Sequence, residues 1–267
     1  MRFAGFYAAM LLTGGAAAEQ APINPDALAR SLANPLAGST TISTEMRLAA
    51  GEGQGRHGLV NEFTILRPFS LPEAWMIATF TKLPVTMIAN SHQYNGLGDV
   101  SFDAFLVTPP RNNLYLGLGF TSSMPAASRA GLGSRNWEAG PAAGLYYQDD
   151  TITTGLRLSQ RWTMAGPTNY ERTTISMLNA QFSLGLGNAW TTGVSTELRY
   201  DWETSGRFRW TVPLTASLGR VFTINDEYAA ELSGLVTHYA LTGGPQRSVW
   251  EIGLSLTFVM PRGFLFR

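Results

Sequence analysis

The sequence predicts an all-β protein, a transmembrane antiparallel β-barrel of about twelve strands with a short helical segment in front of it. Three features favour this fold. Runs of about 10 to 15 residues alternate between polar and apolar side chains, short and long connections follow one another between those runs, and the N-terminus resembles an export signal.

The first 18 residues resemble a secretory signal peptide. Met1 and Arg2 form a short basic start, residues 3–12 form an apolar run, and residues 13–18 are small and end in alanines. The apolar run is too short to anchor the chain in a bilayer, so we expect cleavage near Ala18. The alternative is the N-terminal helix of a cytoplasmic protein.

Residues 19–38 are expected to form an N-terminal lead or plug segment, followed by the barrel over residues 39–267. Leu28, Leu32 and Leu36 would place an apolar stripe on a short helix from about Asp26 to Asn34. We expect this helix to dock at the periplasmic mouth or inside the lumen as a plug.

Alternation with a period of two predicts the barrel strands. No later segment reaches the roughly 18 consecutive apolar residues of a membrane helix, so membrane residence would require a closed barrel. The predicted strands lie near residues 39–50, 57–70, 74–87, 97–109, 112–124, 136–148, 151–165, 173–187, 189–202, 208–222, 226–241 and 248–260.

Every second connection is very short and rich in turn residues, whereas the connections between them are longer and often contain glycine. Short turns at one end and long loops at the other are typical of outer-membrane barrels, with both termini periplasmic. A soluble β-sandwich is the alternative, although it rarely has such long and uniform strands. The short turns are residues 71–73, 110–111, 149–150, 187–188 and 225–226.

The two faces of each strand differ in polarity. In the run from Thr151, Leu156 and Leu158 belong to one face, and Arg157 and Arg161 belong to the other. The apolar face would meet lipid, and the polar face would line the lumen. The tryptophans all lie near strand ends, where interfacial aromatic belts occur. They are Trp75, Trp137, Trp162, Trp190, Trp202, Trp210 and Trp250.

Twelve charged residues are predicted to line the lumen and a solute path: Glu45, Glu62, Lys82, Asp103, Glu138, Arg157, Arg161, Glu197, Arg199, Asp201, Arg209 and Glu231. Counting outward from the short turns predicts cross-strand pairs on this wall. Glu138 would face Arg161, Glu62 would face Lys82, Asp201 would lie near Arg209, and Lys82 would also reach Asp103.

The composition limits the other function classes. The chain has 19 acidic and 19 basic residues and therefore no basic field for nucleic acid, and it has no cysteine for disulfides or thiolate sites. His57, His92 and His238 lack metal-ligand spacing, and phosphate-loop and serine-nucleophile motifs are missing. We expect no metal, no cofactor and no enzyme. The expected partners are outer-membrane lipid, a small solute and the barrel-assembly machinery, which favours an aromatic end such as residues 264–267.

Several short motifs resemble one known family. They lie, in order, at residues 34–37, 97–100, 132–142, 160–166 and 209–214, and the Leu-Gly-Ser, Trp and Gly-Pro stretch within residues 132–142 is the most specific of them. The order resembles that of the outer-membrane transporters of the meta-pathway phenol-degradation family over nearly the whole mature chain. The resemblance implies an outer-membrane barrel that takes up aromatic or other hydrophobic compounds.

The predicted function is therefore a channel or transporter for small solutes, aromatic or hydrophobic ones included. A closed structural or surface-interaction barrel is the alternative. A lipid-modifying outer-membrane enzyme is a third candidate, for which His238 is the only plausible base.

Overall fold

The computed structural model describes residues 24–50, 58–88, 95–167, 171–224, 228–242 and 250–260. The predicted signal peptide, His57, His92 and the C-terminal residues 264–267 lie outside these ranges. Among the described residues, the helical segments are all too short or too polar to span a membrane.

One antiparallel sheet forms nearly the whole structure and closes on itself as a twelve-stranded barrel, as predicted. Each long strand pairs with its neighbours in the chain, and β1 pairs with β13 from Thr40 opposite Met260 to Ala50 opposite Trp250, which closes the ring. The described strands are β1 (Thr40–Ala50), β2 (Gly58–Ser70), β3 (Met76–Ile88), β4 (Gly96–Leu97), β5 (Val100–Val107), β6 (Leu114–Met124), β7 (Trp137–Gln148), β8 (Ile152–Ala165), β9 (Thr174–Gly187), β10 (Trp190–Asp201), β11 (Trp210–Thr223), β12 (Ala229–Thr242) and β13 (Trp250–Met260).

The strand predicted over residues 97–109 is shorter in the structure. Gly96 and Leu97 form the separate two-residue strand β4, which pairs only with the end of β3, and β5 begins at Val100. Gly98 donates its N–H to the Pro84 carbonyl, and the Asp99 carboxylate accepts bonds from a distant loop. The ladder is interrupted by a one-residue bulge, because three residues lie between Leu97 and Ser101 and only two lie between their partners Val85 and Lys82 on β3.

The outer face of the barrel is apolar. Leu118, Leu158 and Leu254 are 63%, 50% and 52% exposed on it, and such exposure suits acyl chains rather than water. The tryptophans occupy both rims of this face. Trp75 and Trp190 lie at the end with the short turns, and Trp137, Trp162, Trp202, Trp210 and Trp250 lie at the end with the long loops.

Positive φ angles explain why the turns between strands can be tight. Asn188 (φ 51°) and Ala189 (φ 63°) form the two-residue connection between β9 and β10, which is the geometry that matches the twist of a hairpin. The connection between β2 and β3 is longer and runs from Leu71 to Trp75, with φ of 58° at Glu73.

The N-terminal helix α1 spans Pro25–Leu32 and confirms the predicted short helical segment, although it ends two residues earlier than expected. The Asn24 side chain caps it by accepting the N–H groups of Asp26 and Ala27, and Pro25 occupies the first turn, where its missing N–H has no cost. Residues 24–38 are the described part of the predicted lead segment, and we use that name for them.

Candidate functional site

Charged side chains meet in the middle of the lumen around a cavity of about 120 Å³. They come from β2, β3 and β5 on one side of the barrel and from β8 and β10 on the other. We call these residues the charge belt: Glu62, Lys82, Asp103, Arg157, Arg161 and Glu197. Ser101, Ser159 and Asn179 add uncharged polar groups to the same wall.

Lys82 connects two opposite walls of the barrel. Its Nζ atom lies 3.1 Å from Glu62 Oε1 on the neighbouring strand and 4.0 Å from Glu197 Oε2 on β10. Five strands separate β3 from β10 in either direction around the ring, so the contact with Glu197 spans the lumen. The lysine side chain therefore divides the passage at this level.

The predicted contact between Lys82 and Asp103 is not among the ion pairs of the described residues. The β3–β5 register places Ser101 opposite Lys82 and Asp103 opposite Phe80. Asp103 still lines the cavity, but Glu197 is the second partner of Lys82. The alternation of polar and apolar residues predicts on which face of the sheet each side chain lies. It does not predict the distance between side chains on opposite walls of the barrel.

The predicted direct pairing of Glu62 with Lys82 was wrong by two residues, although their ion pair forms. Glu62 faces Pro84, and Lys82 faces Thr64. The reason is the turn, because Ser70 pairs with Met76 and leaves five residues in the connection instead of the expected three. A shift of two residues keeps each side chain on the same face, so the pair meets diagonally.

The same error occurs at Glu138 and Arg161. Gln148 pairs with Thr153 and not with Thr151, so Glu138 faces Thr163. The ion pair again forms on the diagonal, with Arg161 Nε 3.8 Å from Glu138 Oε2. Glu138 is only 5% exposed and also accepts a hydrogen bond from the Thr173 hydroxyl at 2.6 Å.

The register places Asp201 near Arg209 as predicted, since Tyr200 pairs with Trp210, but the two side chains do not form an ion pair. Arg209 lies in a 3-10 turn, where its Nε donates to the Thr204 carbonyl at 2.6 Å and its Nη1 donates to the Tyr200 hydroxyl at 3.0 Å. Asp201 instead lies 4.0 Å from Arg199 Nη2 on its own strand. The turn redirects Arg209 toward the backbone of the loop.

The remaining predicted lumen residues lie at other levels. Glu45 forms an ion pair with Arg47 on its own strand. Glu231 lies near the short-turn end and accepts a hydrogen bond from Thr191 Oγ1 at 3.3 Å. The prediction missed Arg47, although it has the same strand parity as Glu45 and could have been found from it.

Two members of the charge belt have no carboxylate or cationic partner within 4.0 Å among the described side chains. They are Asp103 and Arg157. The Arg157 guanidinium stacks over the Phe80 ring at 5.0 Å, and its buried Nε atom has no hydrogen-bond partner there.

The lead segment crosses the lumen at the short-turn end. Leu36 is fully buried, and its Cδ1 atom lies against two facing glycines, Gly117 on β6 and Gly144 on β7. A Cβ atom on either glycine would lie 3.2 or 3.3 Å from that methyl group. We call the two glycines the notch, because the bare wall there receives the leucine.

Hydrogen bonds hold the rest of the lead segment to the wall. Asn34 Nδ2 donates to Gln148 Oε1 at 2.9 Å, and the Ala189 N–H donates to Asp26 Oδ1 at 2.6 Å. On α1, Ala29 is 2% exposed and packs with Val221. The segment is therefore bound to both sides of the barrel.

At the long-loop end, the Asp99 side chain binds the loop between β6 and β7. Its carboxylate accepts the N–H of Ala127 at 3.1 Å and the N–H of Ser134 at 2.7 Å. A Cβ atom on Gly133 would lie 2.3 Å from Asp99 Oδ1, so glycine is needed there. These residues belong to the Leu-Gly-Asp and Leu-Gly-Ser motifs, which explains why the two motifs occur together.

Within the described ranges, no group of three or more His, Cys, Asp or Glu side chains could hold a metal ion. Two larger concavities, of about 760 and 500 Å³, lie against the apolar outer face and are lined by residues such as Leu218, Leu254 and Phe182. Their lining suits acyl chains, so the lumen is the better candidate for a solute site.

No model of a known protein family matches the chain, and no curated protein sequence matches it. Membership of the phenol-degradation family, which the motifs suggest, is therefore not shown.

Solved structures do match. The COG4313 outer membrane channel from Pseudomonas putida F1 matches with a TM-score of 0.62 and 13% identity over 84% of this chain and 96% of that one. The NanC porin matches with a TM-score of 0.56 and 9% identity over 83% and 99%. The CymD monoaromatic hydrocarbon channel matches with a TM-score of 0.50 and 8% identity over 85% and 91%. The fold of this chain is that of outer-membrane channels and porins.

Proposed function

We propose that the mature chain is a passive channel of the bacterial outer membrane for small solutes. The observation that carries this proposal is the charge belt, in which Lys82 spans the lumen between Glu62 and Glu197. Charged side chains that line a narrow pore select solutes by charge and size. The short turns and the lead segment would face the periplasm, and the long loops would face the exterior.

The chemistry of the belt favours polar solutes. Six charged side chains surround a cavity of about 120 Å³, and an aromatic hydrocarbon would have to displace their water without replacing its hydrogen bonds. The expectation of aromatic or hydrophobic solutes is supported only by the motif resemblance and by the likeness to CymD. Lipid contacts on the outer face and insertion by the barrel-assembly machinery remain part of the proposal.

Ion selectivity in planar bilayers tests the role of Lys82. The variant Lys82→Met removes a cation beside Glu62 and Glu197, so we expect the preference for K⁺ over Cl⁻ to rise several-fold. The variant Glu197→Gln should shift the preference toward Cl⁻ and raise the conductance, because it releases Lys82 from the opposite wall. Asp201→Asn, at the long-loop end, is the matched control and should change selectivity less than either.

A closed structural barrel is the second candidate. Two observations favour it: the lead segment lies across one mouth, and the ion pair of Lys82 with Glu197 crosses the middle of the lumen. The same bilayer experiment separates the two functions. Absence of conductance in the intact protein and in Glu197→Gln, with normal insertion of both, would support the closed barrel and refute the channel.

The lipid-modifying enzyme has less support. His238, the only base considered for it, lies on the outward parity of β12 and packs its ring against Trp250 at 4.4 Å. Lipid hydrolysis by the intact protein that is lost when His238 is substituted would support the enzyme.

A further inference from the structure

We infer that the charge belt contains a binding site for a small zwitterion that carries an ammonium and a carboxylate group, such as a small α-amino acid. This inference rests on the proposed channel function and names the solute class of the same site. Its basis is that two opposite charges lining one cavity, Asp103 and Arg157, lack an ionic partner among the described residues.

The other charges of the belt are already neutralised in part by opposite charges of the barrel wall. Lys82 lies between Glu62 and Glu197, and Arg161 lies against Glu138. A half-buried charge without an ion-pair partner loses hydration and lacks the compensation that an opposite charge in direct contact would give. Asp103 and Arg157 are therefore the two groups whose interaction with a solute would cost the protein no existing ion pair.

Arg157 is prepared for a carboxylate. One face of its guanidinium is covered by the Phe80 ring at 5.0 Å, and the group hydrogen-bonds to the Tyr146 side chain, whereas its buried Nε has no hydrogen-bond partner in the described structure. Stacking orients the planar group, and the N–H groups along its edge match the two oxygens of a carboxylate. An ammonium ion offers no acceptor, so it would not bind there.

Asp103 offers the complementary group. It lies on β5, three strands away from β8 around the ring, and it lines the same cavity as Arg157. Ser101 and Asn179 line the cavity as well and can hydrogen-bond to a polar solute without adding charge. The volume of about 120 Å³ corresponds to roughly four molecules of liquid water at about 30 Å³ each, which suits a solute of the size of glycine or alanine.

Uptake of four solutes of similar size into proteoliposomes tests the inference on the intact mature barrel. Alanine carries both charges, propionate only the carboxylate, propylammonium only the ammonium, and propionamide neither. We expect alanine uptake to saturate and propionamide uptake to rise linearly. Asp103→Asn should raise the half-saturating concentration of alanine by roughly three- to tenfold, since the asparagine still accepts a neutral hydrogen bond and only the charge-assisted part, about half of the free energy, is lost.

The two single-charge solutes separate a specific site from a general change in the pore. Asp103→Asn should weaken the uptake of propylammonium but not that of propionate, and Arg157→Gln should do the reverse. Glu73→Gln, in the exposed turn between β2 and β3, should leave the uptake of all four solutes unchanged. If Arg157→Gln fails to insert, the test depends on Asp103→Asn alone. A weaker uptake of propylammonium with unchanged uptake of propionate would support the site, and an equal change for both solutes would contradict it.

The outcomes also distinguish this inference from the channel proposal. Linear alanine uptake at the rate of propionamide, unaffected by either substitution, would overturn the zwitterion site and leave the channel intact. Failure of KCl and of all four solutes to cross would overturn both.

Discussion

The short-turn end of the lumen and its middle are filled in opposite ways. At the short-turn end, Leu36 is fully buried against the notch of Gly117 and Gly144, and hydrogen bonds at Asn34 and Asp26 hold the lead segment. In the middle, ion pairs between half-exposed side chains connect the walls, as at Lys82 and Glu197. The contacts at the short-turn end depend mainly on the close fit of apolar groups, and those in the middle depend on the attraction between opposite charges.

The difference assigns separate roles to the two regions. Close packing of a buried leucine is lost when even one methyl group changes, so the lead segment has one favoured position. Ion pairs that water can reach contribute about 0 to 1 kcal/mol and weaken with salt, so their members can exchange partners at low cost. The lead segment should therefore determine how wide the mouth is, and the charge belt should determine which solutes pass.

Removal of the lead segment should give the largest effect. Deletion of residues 21–37 empties the short-turn end of the lumen, so we expect the single-channel conductance to rise several-fold while ion selectivity changes little. Planar-bilayer recordings with KCl measure both quantities. A conductance equal to that of the intact protein would show that the segment does not restrict the passage, and a change in selectivity as large as that of Lys82→Met would contradict the separation of roles.

Filling the notch should have a smaller effect, chiefly on stability. In Gly144→Val the new side chain would collide with Leu36 and press on Arg157, whose Cδ1 and Cγ atoms lie 3.3 and 3.4 Å from the position of the added Cβ. Overpacking of this kind costs about 1 to 3 kcal/mol, so we expect the free energy of unfolding to fall by that amount. Urea unfolding in lipid vesicles, followed by tryptophan fluorescence, measures it.

Gly234→Val is the matched control for this substitution. Gly234 also lies within a strand, but nothing lies within 4 Å of its added Cβ, so the same change there should alter stability by less than about 1 kcal/mol. Equal losses in the two variants would mean that glycine is needed for the strand itself and that the notch has no special role for Leu36.

The strands were predictable because lipid and lumen impose opposite polarity on alternate residues. The run from Thr151 shows this, since Leu158 faces outward and Arg157 lines the cavity. Register was less predictable, because it depends on how many residues each turn contains. The turn at residues 71–75 is longer than its proline and glutamate suggested, and Glu62 and Lys82 consequently meet on the diagonal.

Contacts across the lumen could not be predicted at all. Strand parity places Lys82 and Glu197 on the inner face, but only closure of the ring brings β3 and β10 to opposite sides at the same level. The notch that receives Leu36 could not be predicted for the same reason. Gly117 and Gly144 lie on adjacent strands, and they form the notch only because the register pairs them. Both features depend on distances between segments that local sequence patterns do not contain.

The smallest effect concerns a charge outside both regions, Asp149 in the short turn between β7 and β8. Its carboxylate accepts the N–H groups of Ile152 at 2.7 Å and Thr151 at 2.8 Å. These backbone hydrogen bonds, that from Ile152 first, lower the pKa of Asp149 below its usual value. A lowered pKa in the folded state means that the charged form stabilises the turn above the unfolded pKa and that this contribution is lost as the pH falls through the folded value.

The variant Asp149→Asn should therefore reduce the urea midpoint slightly at neutral pH, and its difference from the intact protein should shrink as the pH falls below about 4, where aspartate begins to be protonated. Urea titrations at a series of pH values measure this difference. The adjacent Asp150→Asn is the control, since that carboxylate is fully exposed and lies 3.9 Å from Arg30, a contact that contributes little in water. If the difference for Asp149→Asn persisted at the lowest pH, or if Asp150→Asn showed the same pH dependence, the turn would not owe its stability to these two backbone hydrogen bonds.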